Sequence, residues 1–359
     1  MLFLADSSSI HYLFLVFLGM LSLVVLLILV VLIYSFYQYK ESARVSKWSD
    51  LINEKVTETI VYDKGEIDSS NDGFSVFSGY PLFRNLFLQK LVETDNKFSG
   101  TAQNKIKDLF NDYNLQDEAF KKLNQKKPYL IAGGIQELTA MNVEEALPEI
   151  SLFLKHPSAQ VYQEAQYAMV SFKGFEGLRF LDTISTKISE WQQLRLLLSI
   201  THIPADHEDI LKSWLESPND TVIIFTLRLL KKFQLLSFYP AVMNLLYHSS
   251  VEVRIQAVKA LQSLENSSTI TELTNIYPEQ PFEVQLEILR VMRVLKEQCC
   301  AGFLQHQLVE SPFSAVKIYS AEALFSLGHH DYLVQVANDQ GSSEQLVQII
   351  KHALQEKVC

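Results

Sequence analysis

SSVEVRIQAVKALQSL, residues 249–264, places apolar side chains 2, 4, 5, 7, 8 and 11 positions after Val253: Ile255, Ala257, Val258, Ala260, Leu261 and Leu264. Offsets 0, 4, 7, 8 and 11 fall on one helical stripe, and the others widen it until the helix is apolar on most sides. Such a helix belongs in the middle of a core. The pattern returns in AQVYQEAQYAMVSF, DTVIIFTLRLLKKF, FEVQLEILRVMRVL and SAVKIYSAEALFSL, anchored on Val161, Val222, Val284 and Val316. With Val253 the intervals are 61, 31, 31 and 32 residues. Since 61 is nearly two periods, a further copy is expected near residue 192, where QQLRLLLSI, residues 192–200, carries apolar residues at the expected offsets. Between these helices lie amphipathic ones: VEEALPEISLFLKHP, EDILKSWLESP, PAVMNLLYHSS and FLQHQLVESP. Pro157, Pro218 and Pro312 punctuate their ends, where proline cannot continue a helix. One unit is therefore helix, turn, helix, turn. Two such helices cannot bury both stripes alone, so neighbouring units must stack and share a core.

A different signal lies at the start of the chain. From residue 10 to residue 39 there is no Lys, Arg, Asp or Glu, and LFLVFLGMLSLVVLLILVVLI, residues 13–33, is almost wholly apolar. At about 1.5 Å per residue this run makes roughly 31 Å of helix, the hydrocarbon thickness of a bilayer. A cleaved secretory signal wants a basic start, a shorter apolar core and a small-residue cleavage site. MLFLADSSSIHY has no Lys or Arg, so an uncleaved membrane anchor is expected. Lys40, Arg44 and Lys47 follow the span and only Asp6 precedes it, which places the C-terminal part in the cytosol and the N-terminus outside. Tyr34, Phe36, Tyr37 and Tyr39 suit an aromatic belt at the exit.

The repeat resembles the HEAT repeat family in its short bacterial form, through HPSAQVYQEAQYAMV and HSSVEVRIQAVKAL, over residues 128 to about 356. Arg after the anchor valine is kept at Arg254, with Lys317 as a substitute in the last copy. The Trp, Gly and Tyr spacing of tetratricopeptide units is missing. The resemblance implies an all-α fold, a right-handed α-solenoid of HEAT-like helical hairpins following one N-terminal transmembrane helix. More narrowly, GFEGLRFLDTISTKISEWQQLRLLLSI and IAGGIQELTAMN look like a group of bacterial single-span HEAT membrane proteins. That likeness implies the inner (cytoplasmic) membrane and a glycosyltransferase as a neighbour.

Between span and repeats, residues 40–62 carry Val45, Trp48, Leu51, Ile52 and Val56 at helical spacing, which prolongs the membrane helix into the cytosol. DKGEIDSSNDGF, residues 63–74, reads as a loop. PLFRNLFLQKLVETDNK, TAQNKIKDLFNDY and LQDEAFKKLNQK read as three helices capping the first unit, and SSEQLVQIIKHALQEK as the opposite cap. The expected organisation is an extracytoplasmic segment 1–12, a transmembrane helix 13–37, a juxtamembrane helix and loop 38–80, a helical cap 81–127, repeats 128–341 and a capping helix 342–359.

The chemistry legible in the residues is sparse. The formal charge is −10, leaving −9 after residue 39 once the −1 of Asp6 is set aside, which argues against a nucleic-acid partner. Three cysteines, the adjacent Cys299 and Cys300 and the distant Cys359, do not describe a disulfide framework and suit a reducing compartment. HEAT-like iron hydroxylases use His-Glu pairs on successive repeats, whereas His207-Glu208 stands alone here. In GHHD, residues 328–331, adjacent histidines point in different directions, and the stretch reads as a turn. AGG, residues 132–134, lacks the Lys and Ser or Thr of a phosphate loop, and close helix packing accounts for it. No catalytic residue, metal or cofactor is expected, and the chain is read as no enzyme.

What remains is surface. The second helix of each unit lines the concave side of such a stack, so Glu164, Gln166, Gln192, Gln193, Arg195, Arg228, Arg254 and Arg290, with Trp191 beside them, are the expected protein-binding residues. The expected role is a membrane-anchored scaffold or adaptor presenting this surface to a protein partner. The alternatives are a regulatory partner of a membrane glycosyltransferase or signalling complex and, disfavoured because it rests on fold-level analogy, a HEAT-like lyase or metal-dependent hydroxylase.

Overall fold

The computed structural model describes residues 4–61, 73–264 and 266–355. Among the described residues every regular element is helical and no strand occurs. The chain divides into two compact units, residues 1–168 and 169–359.

In the first unit α1 (Leu4–Val61) is one uninterrupted helix. Its first half is long and apolar enough to cross a membrane, and none of that apolar stretch is buried. The second half changes character. Trp48, Ile52 and Val56, four residues apart and so one per turn, are buried, and α2 (Gly73–Phe77), α3 (Pro81–Asp95) and α4 (Thr101–Asp112) pack against it. Phe74, Phe77, Phe83, Phe87 and Tyr113 gather with Trp48 at centroid distances of 5.0 to 6.4 Å, many of them edge-on. The helix that leaves the apolar stretch is thus a structural member of the domain that follows. Residues 63–72 of the expected loop lie outside the described residues, while Gly73 and Phe74 open α2.

Helices α5 (Gln116–Leu123) and α6 (Pro128–Ala140) form a hairpin in the same unit. Their close crossing explains AGG: a Cβ on Gly134 would lie 2.8 Å from the Ala119 carbonyl oxygen and 2.9 Å from the Lys122 Cβ, whereas Gly133 faces open space. Pro128 starts α6 at a position where the missing N–H costs nothing. The segment expected as one amphipathic helix, residues 143–157, is instead a short α7 (Leu147–Ser151) between 3₁₀ turns Glu144–Ala146 and Leu152–Lys155. Pro148 stands in the first turn of α7, where its missing N–H costs nothing. Helix α8 (Ala159–Lys173) follows, with Val161 and Ala165 fully buried.

The second unit is a stack. After the 3₁₀ segment Gly174–Asp182 come α9 (Glu190–Ser199), α10 (Glu208–Leu215), α11 (Asp220–Phe233), α12 (Tyr239–Asn244), α13 (Val251–Leu261), α14 (Thr269–Ile276), α15 (Phe282–Leu295), α16 (Ala301–Glu310), α17 (Ser314–Ser326), α18 (His330–Asn338) and α19 (Glu344–Gln355). Helices α9, α11, α13, α15, α17 and α19 pack each on the next, and α10, α12, α16 and α18 each lie on the member that follows them. Val222, Val253, Val284 and Val316 are all buried, as are the residues 4, 7 and 8 positions after each of them. One apolar core runs from Val170 to Ala353. Each fully buried aliphatic side chain contributes about 1.5–3 kcal/mol of transfer free energy, so the register repeats because it is where the burial is largest.

The turns repeat as well. Five residues before the anchor valine a side chain accepts the backbone N–H two residues on: His156 from Ser158, Ser217 from Asn219, His248 from Ser250 and Ser311 from Phe313, at 3.1 to 3.3 Å. These local bonds turn the chain into the second helix. The 3₁₀ segment departs from the pattern. Gly174, at φ +57, ends α8, and a Cβ on Gly177 would collide with the backbone of Met169 and Val170, so the segment lies flush on α8.

Candidate docking face on an inverted helix

Helix α9 starts at Ser189, whose Oγ accepts the Gln192 N–H at 3.2 Å. Its orientation is the reverse of what side-chain polarity favours. Gln192 and Gln193 are each 2% exposed, alongside the fully buried Leu196. Trp191, Leu194 and Leu198 are 72%, 46% and 70% exposed. These three sit at i, i+3 and i+7, so they form one apolar stripe directed away from the core. A buried amide is acceptable only when it is bonded: Gln193 Nε2 donates to the Ile188 carbonyl at 3.0 Å, yet its Oε1 has no partner. The helix accepts buried amides and keeps a Trp and two Leu in water. Buried amides and a solvent-facing apolar stripe thus stand on different sides of one helix, which makes this face the candidate site.

One edge of the stripe is basic. On α11, Arg228 Nη2 pairs with Glu190 Oε1 at 3.2 Å, and Lys231 and Lys232 are exposed on its last turn. Lys232 Nζ donates to the Leu197 and Ile200 carbonyls at 2.7 Å each, capping the C-terminus of α9 and fixing where Leu198 stands. Arg195 is half-buried on the same helix.

The other expected site residues are placed differently. Glu164 and Gln166 are buried on α8. Arg254 donates to the His248 carbonyl and to Gln280 Oε1, the latter at 3.4 Å, which braces a turn. Arg290 is exposed but bonds Glu287 Oε2 at 2.9 Å and the Tyr319 hydroxyl at 2.5 Å, with its guanidinium 4.8 Å over the Tyr319 ring. Both arginines are engaged inside the stack. Of the expected residues, the structure brings Trp191, Arg195 and Arg228 to one face and keeps Gln192 and Gln193 beneath it. Leu194, Leu198, Lys231 and Lys232 belong to that face and were not picked out by sequence. The W-x-x-L-x-x-x-L spacing of residues 191–198 was the available signal.

The titratable groups bond to each other. His207 Nδ1 meets Asp206 Oδ1 at 2.7 Å, and its Nε2 bonds Glu176 Oε1. The Glu176 carboxylate holds the imidazole above its ordinary pKa against the opposing effect of burial, and Asp206 adds to it. The same bond lowers the Glu176 carboxyl. His207 also stacks edge-on to Phe175 at 5.0 Å, next to Trp214, whose Nε1 donates to Asp182 Oδ1 at 2.6 Å. The group ties the 3₁₀ segment to the turn before α10. Glu208 turns elsewhere, accepting from Ser237 at 3.5 Å. His329 bonds Gln298 at 3.0 Å while His330 stacks on Phe325 at 4.4 Å, so the two histidines of GHHD serve different partners. Burial pushes the Cys300 thiol up to about 11, which makes it a poor thiolate at neutral pH. Cys359 lies outside the described residues. Among the described residues no three His, Cys, Asp or Glu converge as a metal site.

No protein-family profile matches the chain, and no curated protein matches it. Solved structures do show likenesses. The chain is similar to the crystal structure of an engineered protein, at 16% identity over 86% of this chain and 87% of that one, with a TM-score of 0.36. It is similar to human deoxyhypusine hydroxylase in complex with glycerol, at 15% identity over 78% and 96%, with a TM-score of 0.29. The CpcE–CpcF complex of phycocyanin lyase from Nostoc sp. PCC7120 gives 13% identity over 74% and 92%, with a TM-score of 0.25. Likenesses at these scores carry no functional argument. The case for a function rests on the face of α9.

Proposed function

We propose that the protein is a non-enzymatic adaptor of HEAT-like units, anchored in the inner membrane by α1 with its N-terminus outside. Its cytosolic stack offers the α9 face to an acidic amphipathic helix of a membrane protein. The observation that carries this reading is the inversion of α9, with Gln192 and Gln193 inside and Trp191, Leu194 and Leu198 outside. Its i, i+3, i+7 spacing matches the anchors by which one helix lies in the groove of another surface. Lys231, exposed on the last turn of α11, complements an acidic side chain flanking the partner's apolar stripe. Trp and Arg supply much of the energy of such contacts. The 31-residue register and the recurring turn bond support HEAT-like units. Lys40, Arg44 and Lys47 support the orientation. Confinement to a membrane raises the local concentration of partners there without adding a contact.

A photoreactive residue in place of Leu198, in the full chain in its own membrane, tests the reading. One captured protein is expected, with cross-linking at the modified Leu198 weakened when Lys231 is changed to Glu, and with the captured contact mapping to an acidic amphipathic helix. Adducts only to lipid, or only to a second copy of this chain, would contradict it.

A further inference from the structure

Helix α1 enters the first unit without a joint. Its apolar run ends at Ile33, and Trp48, fifteen residues later, is the first α1 side chain that the unit buries. With residues 13–33 in the hydrocarbon, that interval is about 22 Å of helix, and the headgroup layer takes roughly 5–8 Å of it. Residues 40–47 are all exposed. About two bare turns of α1 therefore separate the membrane surface from the packed part of the unit.

Those turns are stiff for three reasons. First, no Gly or Pro occurs from residue 34 to residue 61, so the common causes of a kink are missing. Second, helix is already formed on both sides: in hydrocarbon the backbone must bond internally, and beyond Trp48 the helix is held by packing. Residues 40–47 only propagate a helix that is nucleated at each end. Third, the far end is clamped against rotation and sliding. The Trp48 ring lies 6.0 Å from Phe77 and 5.7 Å from Phe83, Ile52 and Val56 are buried one and two turns on, and Lys105 Nζ of α4 donates to the Ile60 carbonyl at 3.2 Å. The Arg44 guanidinium, 5.9 Å over the Trp48 ring, carries the clamp one turn back toward the bilayer.

We propose that residues 40–47 are a rigid coupling rod, through which the span and the first unit turn and tilt as one body. A rotation or tilt that a neighbouring membrane helix imposes on the span then reaches the Trp48 cluster undamped, which a flexible Gly/Ser linker would not allow. The length of the rod sets both the height and the facing of the unit, because each residue adds about 1.5 Å and about 100°. The proposal rests on the reading of α1 as a span.

The test is a pair of spin labels on the full chain in phosphatidylcholine vesicles, at Val24→Cys in the span and Leu82→Cys at the start of α3, in a background with Cys299→Ser, Cys300→Ala and Cys359→Ser. Oxygen and nickel collision rates report the depth of 24, and pulsed double resonance reports the distance from 24 to 82. The expected result is hydrocarbon depth at 24 and a single narrow distance distribution. Four alanines inserted after Ala43 should lengthen that distance by about 6 Å without broadening it, since they turn the rod by only about 40° beyond a full turn. A Gly-Ser-Gly-Ser insertion at the same point is the flexible control and should broaden it. Hydrocarbon depth at 24 with a native distribution as broad as that control, or no lengthening with the alanines, would overturn the rod and leave the span standing. Aqueous exposure at 24 would overturn both.

Discussion

Leu196 and Leu198 stand two residues apart in a run that reads LRLLLS, and the structure gives them opposite roles. Leu196 is fully buried in the core of the second unit, whereas Leu198 is 70% exposed on the α9 face. Leu196→Ala removes buried methyl groups and leaves a cavity, which costs about 2–5 kcal/mol. Leu198→Ala removes a solvated side chain, which changes stability by about 0.5 kcal/mol or less. In a unit of this size about 1 kcal/mol moves the melting temperature by roughly 2–4 °C, so L196A is expected to lower it several times further than L198A. For partner binding the order reverses. L198A forfeits the burial of one leucine, about 1.5–3 kcal/mol, equivalent to a roughly 10- to 150-fold weaker complex. The assays are thermal and urea unfolding by circular dichroism on the free chain and titration calorimetry with the partner. Equal destabilisation by the two substitutions would refute the exposed assignment, and an unchanged affinity for L198A would refute the docking role.

The adjacent glycines of α6 are expected to respond with opposite sign: Gly133→Ala, facing open space, should stabilise by about 0.5–1 kcal/mol through helix propensity, whereas Gly134→Ala, against the Ala119 carbonyl, should destabilise by about 1–3 kcal/mol, both read as urea midpoints. The His207 cluster predicts a pH dependence. An imidazole raised from its ordinary 6.5 contributes fully below that value and loses its contribution as pH rises through the raised pKa, while a carboxyl lowered from 4.5, Glu176, contributes above 4.5 and loses it as pH falls through its depressed value. The urea midpoint of the native chain should therefore fall relative to that of His207→Gln as pH rises from the ordinary imidazole value of 6.5 through the raised one, and parallel curves would show that the cluster has no such role. Arg84→Ala removes the 3.0 Å partner of the buried Glu118 and the donors to the Tyr113 and Asn114 carbonyls. A loss of about 2–4 kcal/mol is expected for the first unit, and a loss below about 0.5 kcal/mol would mean that Lys121 and solvent replace it.

The stack was legible because burial enforces its register: a valine every 31 or 32 residues with apolar partners one and two turns later leaves few other solutions, and Val222, Val253, Val284 and Val316 are all buried. The copy inferred near residue 192 also lies in register, with Gln192 at the anchor position and Leu196 and Ile200 buried after it. The face of α9 was only half legible. QQLRLLLSI offers leucines to both sides of the helix, and periodicity does not decide which side is wet when the alternative is a buried glutamine. That choice is made by tertiary bonds, Gln193 to Ile188 and Lys232 to the end of α9, which join residues 5 to 35 positions apart. Irregular helices were hidden for a related reason. The contact of Gly177 with α8 acts through backbone geometry, which hydrophobic pattern does not encode.

Trp191 provides the most direct measurement of the adaptor account. Of the three tryptophans, Trp48 and Trp214 are buried and Trp191 is exposed, so iodide quenching of the intrinsic fluorescence reports on the α9 face. The full chain alone is predicted to show a quenchable component that Trp191→Phe removes, and the complex with its partner to lose that component with a blue shift. Trp191 already shielded in the isolated chain, or equally quenchable in the complex, would contradict the account.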